Sequence, residues 1–169
     1  MRATLRRPGR PFADLPPAVF EPDYTPVASR LASLAEADPG REVCGFVTVD
    51  PGGILGLVPV RNVAGEGDGV PGIAGDARRA YLAEPAAQLA LSRRLRVEGG
   101  RIAAVYHSHV DGAAVLSDVD VEQALCDGVP LLPGVDQVVV GTRTGKVTEI
   151  RVFRWKEGRF RCRAVLRAG

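Results

Sequence analysis

The sequence lacks the cysteine patterns on which several classes of small domain depend. Its three cysteines, Cys44, Cys126 and Cys162, are widely separated in a chain of 169 residues, and no Cys-x-x-Cys pair is present. A disulfide framework, a thioredoxin-type redox motif and a cysteine-based zinc knuckle are therefore excluded. The odd number of cysteines favours a reducing compartment.

Aromatic residues, a strong net charge and long apolar runs are also scarce. Aromatics make up 5% of the chain, so a core must rest on Val, Leu, Ile and Ala, and the net charge is only +2. No apolar run approaches the roughly 18 residues of a membrane span. The arginines near the start of the chain are followed by prolines, not by the apolar stretch of a signal peptide. We therefore predict a cytoplasmic protein with no membrane partner and no nucleic-acid partner.

The composition is nevertheless that of a folded domain, with 46% apolar and 25% charged residues. Residues 1–23 are rich in proline and arginine and predict an irregular arm, while residues 24–169 carry the periodic patterns of one domain. Helices are expected from Thr25, as the N-cap, to residues 38–40, over 84–98 and over 118–125. Strands are expected over 43–49, 54–60, 102–106, 137–141 and 147–155 and from 159 onward, and the glycine-rich segment 64–76 predicts a long loop. This mixture predicts a single α/β domain in which a mixed sheet is flanked by helices.

The basic C-terminal region has two interpretations. Seven basic residues between Arg151 and Arg167 allow nucleic-acid binding, but no nucleic-acid-binding motif accompanies them. Alternation explains the same residues as an edge hairpin, with Phe160, Cys162 and Ala164 facing the core and the arginines between them facing solvent. We favour the hairpin.

The chain has only two histidines, His107 and His109, and both follow a predicted buried strand. Positions i and i+2 of a strand point to the same side. Two imidazoles and a carboxylate such as Asp120 are a suitable ligand set for a catalytic zinc site whose fourth position is open. Plainer interpretations stay open: the histidines can bond to backbone groups, and Ser117 with Asp120 can form a capping box. Asp118 is an alternative carboxylate ligand.

The complete string of His107, His109, Ser117 and Asp120 resembles, without insertion or gap, the motif of the JAMM (MPN+) metallopeptidase family. The upstream glutamate of that family corresponds to Glu42, at the start of the first predicted strand. The family spacing favours the second aspartate of the string as the ligand. The resemblance implies the α/β sandwich of JAB/MPN and cytidine-deaminase-like domains.

The resemblance also implies a metal, a mechanism and a class of substrate. His107, His109 and Asp120 would hold one Zn²⁺ per chain. Glu42 would be the general base for water activated by zinc, and Ser117 would donate a hydrogen bond to the oxyanion. The bacterial branch includes peptidases that cut after the Gly-Gly tail of ubiquitin-like sulfur carriers, and members that act beside ubiquitin-activating-type enzymes. We therefore expect a peptidase or isopeptidase whose partners are of these two kinds.

One position departs from the family pattern, and one rival function stays open. Val110 stands where many members have proline after the second histidine, and Asp111 with Gly112 fits the bacterial branch. The rival is a non-catalytic MPN-type scaffold, although such scaffolds have lost ligands that this chain retains. A zinc nucleobase deaminase is excluded because it requires a Pro-Cys-x-x-Cys ligand pair. A thiol protease is disfavoured because neither Cys44 nor Cys126 has a neighbouring histidine in the sequence.

Overall fold

The computed structural model describes residues 21–66 and 76–168. The predicted arm at 1–23 and the predicted loop at 64–76 lie for most of their length outside these residues. Three helices and eight strands occur in the described part of the chain. The helices are α1 (Thr25–Ala37), α2 (Pro85–Glu98) and α3 (Asp118–Ala124). The strands are β1 (Cys44–Val49), β2 (Leu55–Val60), β3 (Arg101–His109), β4 (Leu125–Cys126), β5 (Val129–Pro130), β6 (Asp136–Arg143), β7 (Lys146–Lys156) and β8 (Arg159–Leu166).

Six strands form one mixed sheet in the order β2-β1-β3-β6-β7-β8, and β4 pairs with β5 in a separate ribbon. Only β3 and β6 are parallel within this sheet, and its other neighbouring strands are antiparallel. A parallel pair needs a long crossover connection, and α3 and the ribbon lie within it. The prediction of a single α/β domain with a mixed sheet is confirmed.

The two longer helices cover opposite faces of the sheet. Leu31 of α1 packs in a core cluster with Val47 of β1, whereas Leu91 of α2 packs in another cluster with Phe46 of the same strand. Successive residues of a strand point to opposite faces, so the sheet is sandwiched between α1 and α2. No helix among residues 21–66 and 76–168 combines the length and the hydropathy needed to cross a bilayer.

The start of α1 differs slightly from the prediction. Thr25 lies inside the helix, and the cap position belongs to Tyr24, whose side chain makes no capping bond. Asp23 Oδ1 instead accepts hydrogen bonds from the Thr25 backbone N–H at 2.9 Å and from its hydroxyl at 2.6 Å. Because Asp23 satisfies an amide that the helix leaves free, the ring of Tyr24 can turn into the core.

The predicted alternation along β8 is wrong in part, because a bulge interrupts its pairing with β7. The register shifts between Val152 and Phe153, and Arg163 is the extra residue on β8. A bulge exchanges the faces of the residues beyond it. Cys162 is therefore exposed, while Arg163 turns inward and places Nη2 2.9 Å from Oδ2 of the fully buried Asp136.

β3 runs beyond its predicted end and includes both histidines. His107 and His109 lie opposite Val139 and Gly141 of β6. Val105 shares their face of the strand and packs against the α2 cluster. The fold therefore puts both imidazoles at the carboxyl end of β3, on the α2 side of the sheet.

Candidate metal centre

Three side chains converge at the carboxyl end of β3. His107 Nε2 and His109 Nε2 lie 3.1 Å apart. Asp120, in the first turn of α3, places Oδ1 3.4 Å from His107 Nε2 and Oδ2 3.3 Å from His109 Nε2. His107 and Asp120 are buried, and His109 is largely so. The structure thus brings together all three predicted metal ligands, and this group can bind a metal ion.

The separations within the group are short enough for one metal ion to contact all three residues. Ligand bonds of about 2.0–2.2 Å at tetrahedral angles place neighbouring ligand atoms about 3.3–3.6 Å apart. The two Nε2 atoms lie 3.1 Å apart, and Asp120 faces them with separate oxygens, Oδ1 at 3.4 Å from His107 and Oδ2 at 3.3 Å from His109. Two imidazole nitrogens and one carboxylate are also a donor set that zinc uses when a fourth position stays open.

A backbone carbonyl sets the orientation of the His109 ring. Nδ1 of His109 lies 2.9 Å from Ala113 O. A carbonyl oxygen only accepts, so Nδ1 carries the proton and Nε2 of the neutral ring has a free lone pair. Such a bond is the usual way in which a metal-binding histidine is oriented. The interpretation that a histidine bonds to the backbone is therefore correct for Nδ1 of His109. It leaves Nε2 of the same ring available to a metal ion.

The loop after β3 folds back tightly on His109. Asp111 has a left-handed backbone with φ of 52°, and its Oδ1 accepts a hydrogen bond from the Thr144 N–H at 2.7 Å. The left-handed position of this turn is Asp111 and not the neighbouring Gly112. Gly112 packs closely against His109, since a Cβ at position 112 would lie 3.0 Å from the Cβ of His109 and would require a small shift there.

Ser117 is the N-cap of α3 and forms a capping box with Asp120. Ser117 Oγ accepts from the Asp120 N–H at 3.2 Å, and the Ser117 N–H donates to Asp120 Oδ2 at 2.7 Å. The Ser117 hydroxyl also donates to Oδ2, at 2.7 Å. The capping interpretation is thus correct, and the same bonds aim Asp120 at the histidines. Asp118, the alternative ligand, is exposed and lies outside the group.

His107 packs against an aromatic ring to which sequence reasoning assigned no role. Tyr81 stacks on it, with ring centroids 4.3 Å apart and ring planes at 16°. Both side chains are buried, and His107 Nδ1 has no hydrogen-bond partner among the described residues. The orientation of this ring therefore depends on packing against Tyr81 and on the contacts of Nε2.

Glu42 precedes β1 and is carried to the same end of β3 by strand pairing. Cys44 lies opposite His107 in the antiparallel register. One residue earlier, the Val43 N–H donates to Oγ of Ser108, the residue between the two histidines, at 3.0 Å. The side chain of Glu42 is buried, with the residue 4% exposed. Strand pairing therefore brings Glu42, a buried acid, to the end of β3 that carries the ligands, where His109 and Asp120 affect its pKa.

Comparison with known proteins identifies the family. Residues 25–156 match the family described as prokaryotic homologs of the JAB domain. The chain belongs to this family. The predicted resemblance to JAB/MPN proteins is thereby confirmed, and no curated protein matches the chain.

Two solved structures have the fold of this JAB domain. The solution structure of protein DSY2949 from Desulfitobacterium hafniense matches 83% of this chain and 88% of its own, with a TM-score of 0.58 and 16% identity. The solution structure of a Salinibacter ruber protein matches 87% of this chain and 89% of its own, with a TM-score of 0.50 and 20% identity. At these identities the likeness shows the fold alone.

The charges in the JAB domain favour an ionised carboxylate between two imidazoles. Burial opposes ionisation of Asp120, but the imidazoles of His107 and His109 in contact with it and the hydrogen bond from Ser117 hold its pKa well below the usual range. Burial lowers the pKa of His107. Burial also opposes charging of His109, yet the hydrogen bond with Asp120 and the nearby charge of Glu42 raise its pKa. Metal binding needs an ionised carboxylate and neutral imidazoles, and Asp120 and His107 already favour those forms.

Burial has the opposite consequence for Glu42 in this JAB domain. It raises the pKa of Glu42 to about 8, with smaller effects from the nearby His109, which lowers it, and Asp120, which raises it. A general base works best when its pKa is near the operating pH. The environment of Glu42 therefore suits a group that accepts and releases a proton near neutral pH.

Cys44 shares the buried end of β1 with Glu42 but is not a nucleophile. Burial raises the pKa of its thiol to about 12. The thiolate is the reactive form of cysteine, so this thiol is inert near neutral pH. For Cys44, burial of the thiol adds to the sequence-based argument against a thiol protease.

Proposed function

We propose that this chain is a zinc-dependent peptidase or isopeptidase that cleaves after the C-terminal Gly-Gly of a ubiquitin-like or sulfur-carrier protein. The observation that carries the proposal is the convergence of His107, His109 and Asp120, with contacts of 3.1, 3.4 and 3.3 Å. The buried Glu42 at the same end of the β1–β3 pair supports it. Membership of a family that includes peptidases supports it.

In this proposal the zinc ion is held by His107 Nε2, His109 Nε2 and the carboxylate of Asp120. When bound, zinc supplies a Lewis acid that polarises the scissile carbonyl and acidifies water. The chain supplies the orientation of its own ligands. The N–H and hydroxyl of Ser117 direct Asp120, and Ala113 O fixes the tautomer of His109. Little reorganisation of the ligands is then required when the ion binds.

Glu42 is the proposed general base. Its carboxyl group is shielded from bulk solvent, and its pKa is about 8. It takes a proton from the attacking water and delivers that proton to the nitrogen of the leaving amine. Because the proton leaves with the amine, Glu42 ends the cycle in the state in which it began.

Ser117 is proposed to donate a hydrogen bond to the oxyanion that forms at the attacked carbonyl. Its hydroxyl has a single proton, which is donated to Asp120 Oδ2 in the free protein. The role in catalysis therefore requires the hydroxyl to rotate from Asp120 to the substrate. The Ser117 N–H keeps its own bond to Oδ2 during this rotation, so Asp120 stays oriented.

A Gly-Gly tail suits a site whose reactive side chains are almost fully enclosed. Glu42 is 4% exposed, His107 0% and Asp120 5%. A narrow, extended chain end without side chains reaches such groups more easily than an ordinary peptide segment does. A ubiquitin-activating-type enzyme is the second partner that we propose, because such enzymes act on the same kind of tail.

Metal content is the first test of the proposal. We expect about one zinc ion per chain in wild type, and loss of the zinc from Asp120→Asn. Asp118→Asn is the matched control, since it removes an exposed carboxylate from the same helical turn and should keep the zinc. Wild-type protein that binds no zinc after reconstitution would overturn the proposal.

Cleavage is the second test and uses Gly-Gly fusions of ubiquitin-like and sulfur-carrier proteins, joined through linear and isopeptide bonds. Wild type should cleave at least one of them, and Glu42→Gln should lose at least about 100-fold in turnover while it keeps its zinc. A zinc-loaded wild type that cleaves none of the fusions, with or without a ubiquitin-activating-type enzyme, would favour the non-catalytic scaffold.

A further inference from the structure

The carboxamide of Asn62 joins three segments of the chain near the metal centre. Asn62 follows β2 and is 5% exposed. Its Nδ2 donates hydrogen bonds to Glu42 O at 2.9 Å and to Ala80 O at 3.0 Å. Its Oδ1 accepts hydrogen bonds from the N–H groups of Ala64 and Leu82, both at 3.0 Å. Backbone groups thus occupy both donor and both acceptor positions of this one side chain.

Two of the segments held by Asn62 carry side chains of the site. One bears Glu42, the proposed base. The other bears Tyr81, which lies between the two residues of its segment that Asn62 contacts and stacks on His107 with ring centroids 4.3 Å apart. One carboxamide therefore fixes the backbone at Glu42 and on both sides of Tyr81.

We propose that Asn62 is a positioning residue of the metal centre, whose carboxamide holds Glu42 and the Tyr81–His107 stack in one fixed arrangement. Asn62 acts only through the backbone that it binds. The part of the proposal that treats Glu42 as a base rests on the proposed function, whereas the part that concerns Tyr81 and His107 does not.

Other contacts keep the same segments folded when the carboxamide is removed. The Glu42 N–H donates to Ala77 O at 2.7 Å, and the Val63 N–H donates to Leu82 O at 2.9 Å. Loss of the side chain at position 62 therefore leaves the segments associated but deprives several buried backbone groups of their partners. A buried backbone group without a hydrogen-bond partner is destabilising, and a local shift that exposes it to water reduces this cost. We therefore expect the backbone at Glu42 and Tyr81 to move without unfolding of the domain.

Two substitutions distinguish the donor function of the Asn62 carboxamide from its acceptor function. Asn62→Leu removes all its hydrogen bonds. Asn62→Asp keeps oxygens that accept from Ala64 and Leu82, but an ionised carboxylate has no donor for the Glu42 carbonyl. If Asn62→Leu does not fold, Asn62→Asp still answers the question.

Tyr24→Phe is the matched control for the loss of buried hydrogen bonds. The Tyr24 hydroxyl donates to Ala103 O and to Asp136 Oδ2, both at 2.9 Å. These partners lie at the start of β3 and β6, at the end of the sheet remote from the ligands. A general loss of stability should therefore appear in this variant without an effect on the metal centre.

The experiment compares these full-length variants at a temperature at which each is folded. The chain has two histidines, so the ring protons of His107 can be followed by NMR. We expect them to move in both Asn62 variants, because the ring-current effect of Tyr81 changes, and to stay in place in Tyr24→Phe. We also expect zinc affinity, measured by chelator competition, to fall about 10-fold and turnover about 10- to 100-fold in both Asn62 variants.

The readouts distinguish failure of this proposal from failure of the proposed function. Folded Asn62 variants with wild-type His107 signals and wild-type zinc affinity, but a lower melting temperature, would show that Asn62 only stabilises the fold. If wild type cleaves no fusion, the proposed function fails while the zinc and NMR readouts still decide the role of Asn62. If wild type binds no zinc, the NMR signals of His107 alone decide whether Asn62 positions the Tyr81–His107 stack.

Discussion

Two buried carboxylates, Asp120 and Asp136, occupy opposite ends of the β3–β6 strand pair. Asp136 lies at the start of β6, opposite Ala104, and joins the α1 side of the sheet through Tyr24. Asp120 lies beyond the end of β3, on the α2 side, against His107. Both carboxylates are almost fully buried, so each needs charge or hydrogen bonds to offset the loss of water.

The partners of Asp136 carry permanent charge. Arg154 Nε lies 2.6 Å from Oδ1, Arg163 Nη2 lies 2.9 Å from Oδ2, and the Tyr24 hydroxyl donates to Oδ2 at 2.9 Å. Arginine stays protonated at any pH at which the protein is folded. This carboxylate is therefore compensated by the protein itself and has no need of an added cation.

The partners of Asp120 carry no permanent positive charge. Its titratable neighbours are Glu42, whose pKa is raised by burial to about 8, and two imidazoles. Burial lowers the pKa of His107, whereas Asp120 and Glu42 raise the pKa of His109. Among the contacts of the described residues, no arginine or lysine compensates the carboxylate of Asp120. The comparison teaches that a buried acid marks a candidate metal site when none of its partners carries a permanent positive charge.

Removal of the charge at Asp136 gives the largest expected effect on stability. Asp136→Asn removes the buried counter-ion of Arg163 and of Arg154, although Arg154 keeps its ion pair with Glu21. We expect a loss of about 3–5 kcal/mol in the free energy of unfolding. Urea denaturation measures this loss. The zinc content should not change, because the metal centre lies at the other end of the strands. A loss as small as that of the exposed control Asp118→Asn, within about 1 kcal/mol, would contradict the structural role.

Removal of the metal gives the next largest effect and should depend on Asp120. At free zinc about 100-fold above its dissociation constant, the free energy of unfolding should rise by about 2.7 kcal/mol over the chelated protein. In Asp136→Asn, zinc should raise the free energy of unfolding by the same amount, although the metal-free variant is less stable than wild type. In Asp120→Asn, zinc should not raise it. Denaturation with zinc and with chelator provides the measurement. Equal increments in both variants would mean that the ion binds elsewhere.

A pH series on metal-free protein tests the burial of Glu42. The folded state raises its pKa from 4.5 to about 8, so the folded chain binds the proton more tightly than the unfolded chain does. The stability that this protonated carboxyl contributes is present below the ordinary pKa and is lost as pH rises toward 8. Relative to Glu42→Gln, wild type should lose at most about 1.4 kcal/mol per pH unit in that window. The free energies of unfolding of wild type and Glu42→Gln are measured by urea denaturation in the presence of chelator. If they change with pH in parallel, the prediction is refuted.

Loss of the cap at Ser117 gives the smallest expected effect. Ser117→Ala removes the hydroxyl that accepts from the Asp120 N–H and donates to Asp120 Oδ2, which should cost about 1 kcal/mol of stability. The backbone bond from residue 117 to Asp120 remains, so zinc should bind more weakly but should still bind. Ser117→Thr keeps a capping hydroxyl and serves as the control. Complete loss of zinc from Ser117→Ala alone would show that the hydroxyl matters more than the backbone bond.

The sequence predicts those parts of the fold that local rules determine. The β1–β2 hairpin follows from the Asp50-Pro51-Gly52-Gly53 turn between two apolar runs, and α2 ends at Gly99, whose backbone is left-handed. The pairing of His107 and His109 is predictable from strand alternation and the capping box of Ser117 from its motif, whereas the choice of Asp120 as the ligand rests on the resemblance to the JAMM family. Each of these features depends on neighbours along the chain.

The remaining features depend on contacts between distant segments. Alternation along β8 fails at Arg163, because the bulge is set by pairing with β7 and by the attraction of the buried Asp136. The stacking of Tyr81 on His107 and the bonds of Asn62 likewise join segments that are far apart in the sequence. A single sequence shows the residue types at these positions but not the register that brings them together.

The strand pairing that delivers Glu42 has a consequence for the order of assembly. The ligand set lies within residues 107–120, so only a short loop must close to gather it. Glu42 joins the site only after β1 has paired with β3 across a much longer separation. Events that separate β1 from β3 will therefore remove Glu42 from a group that keeps its three ligands. Under the proposed function, a damaged or partly folded chain would then retain metal longer than it retains activity.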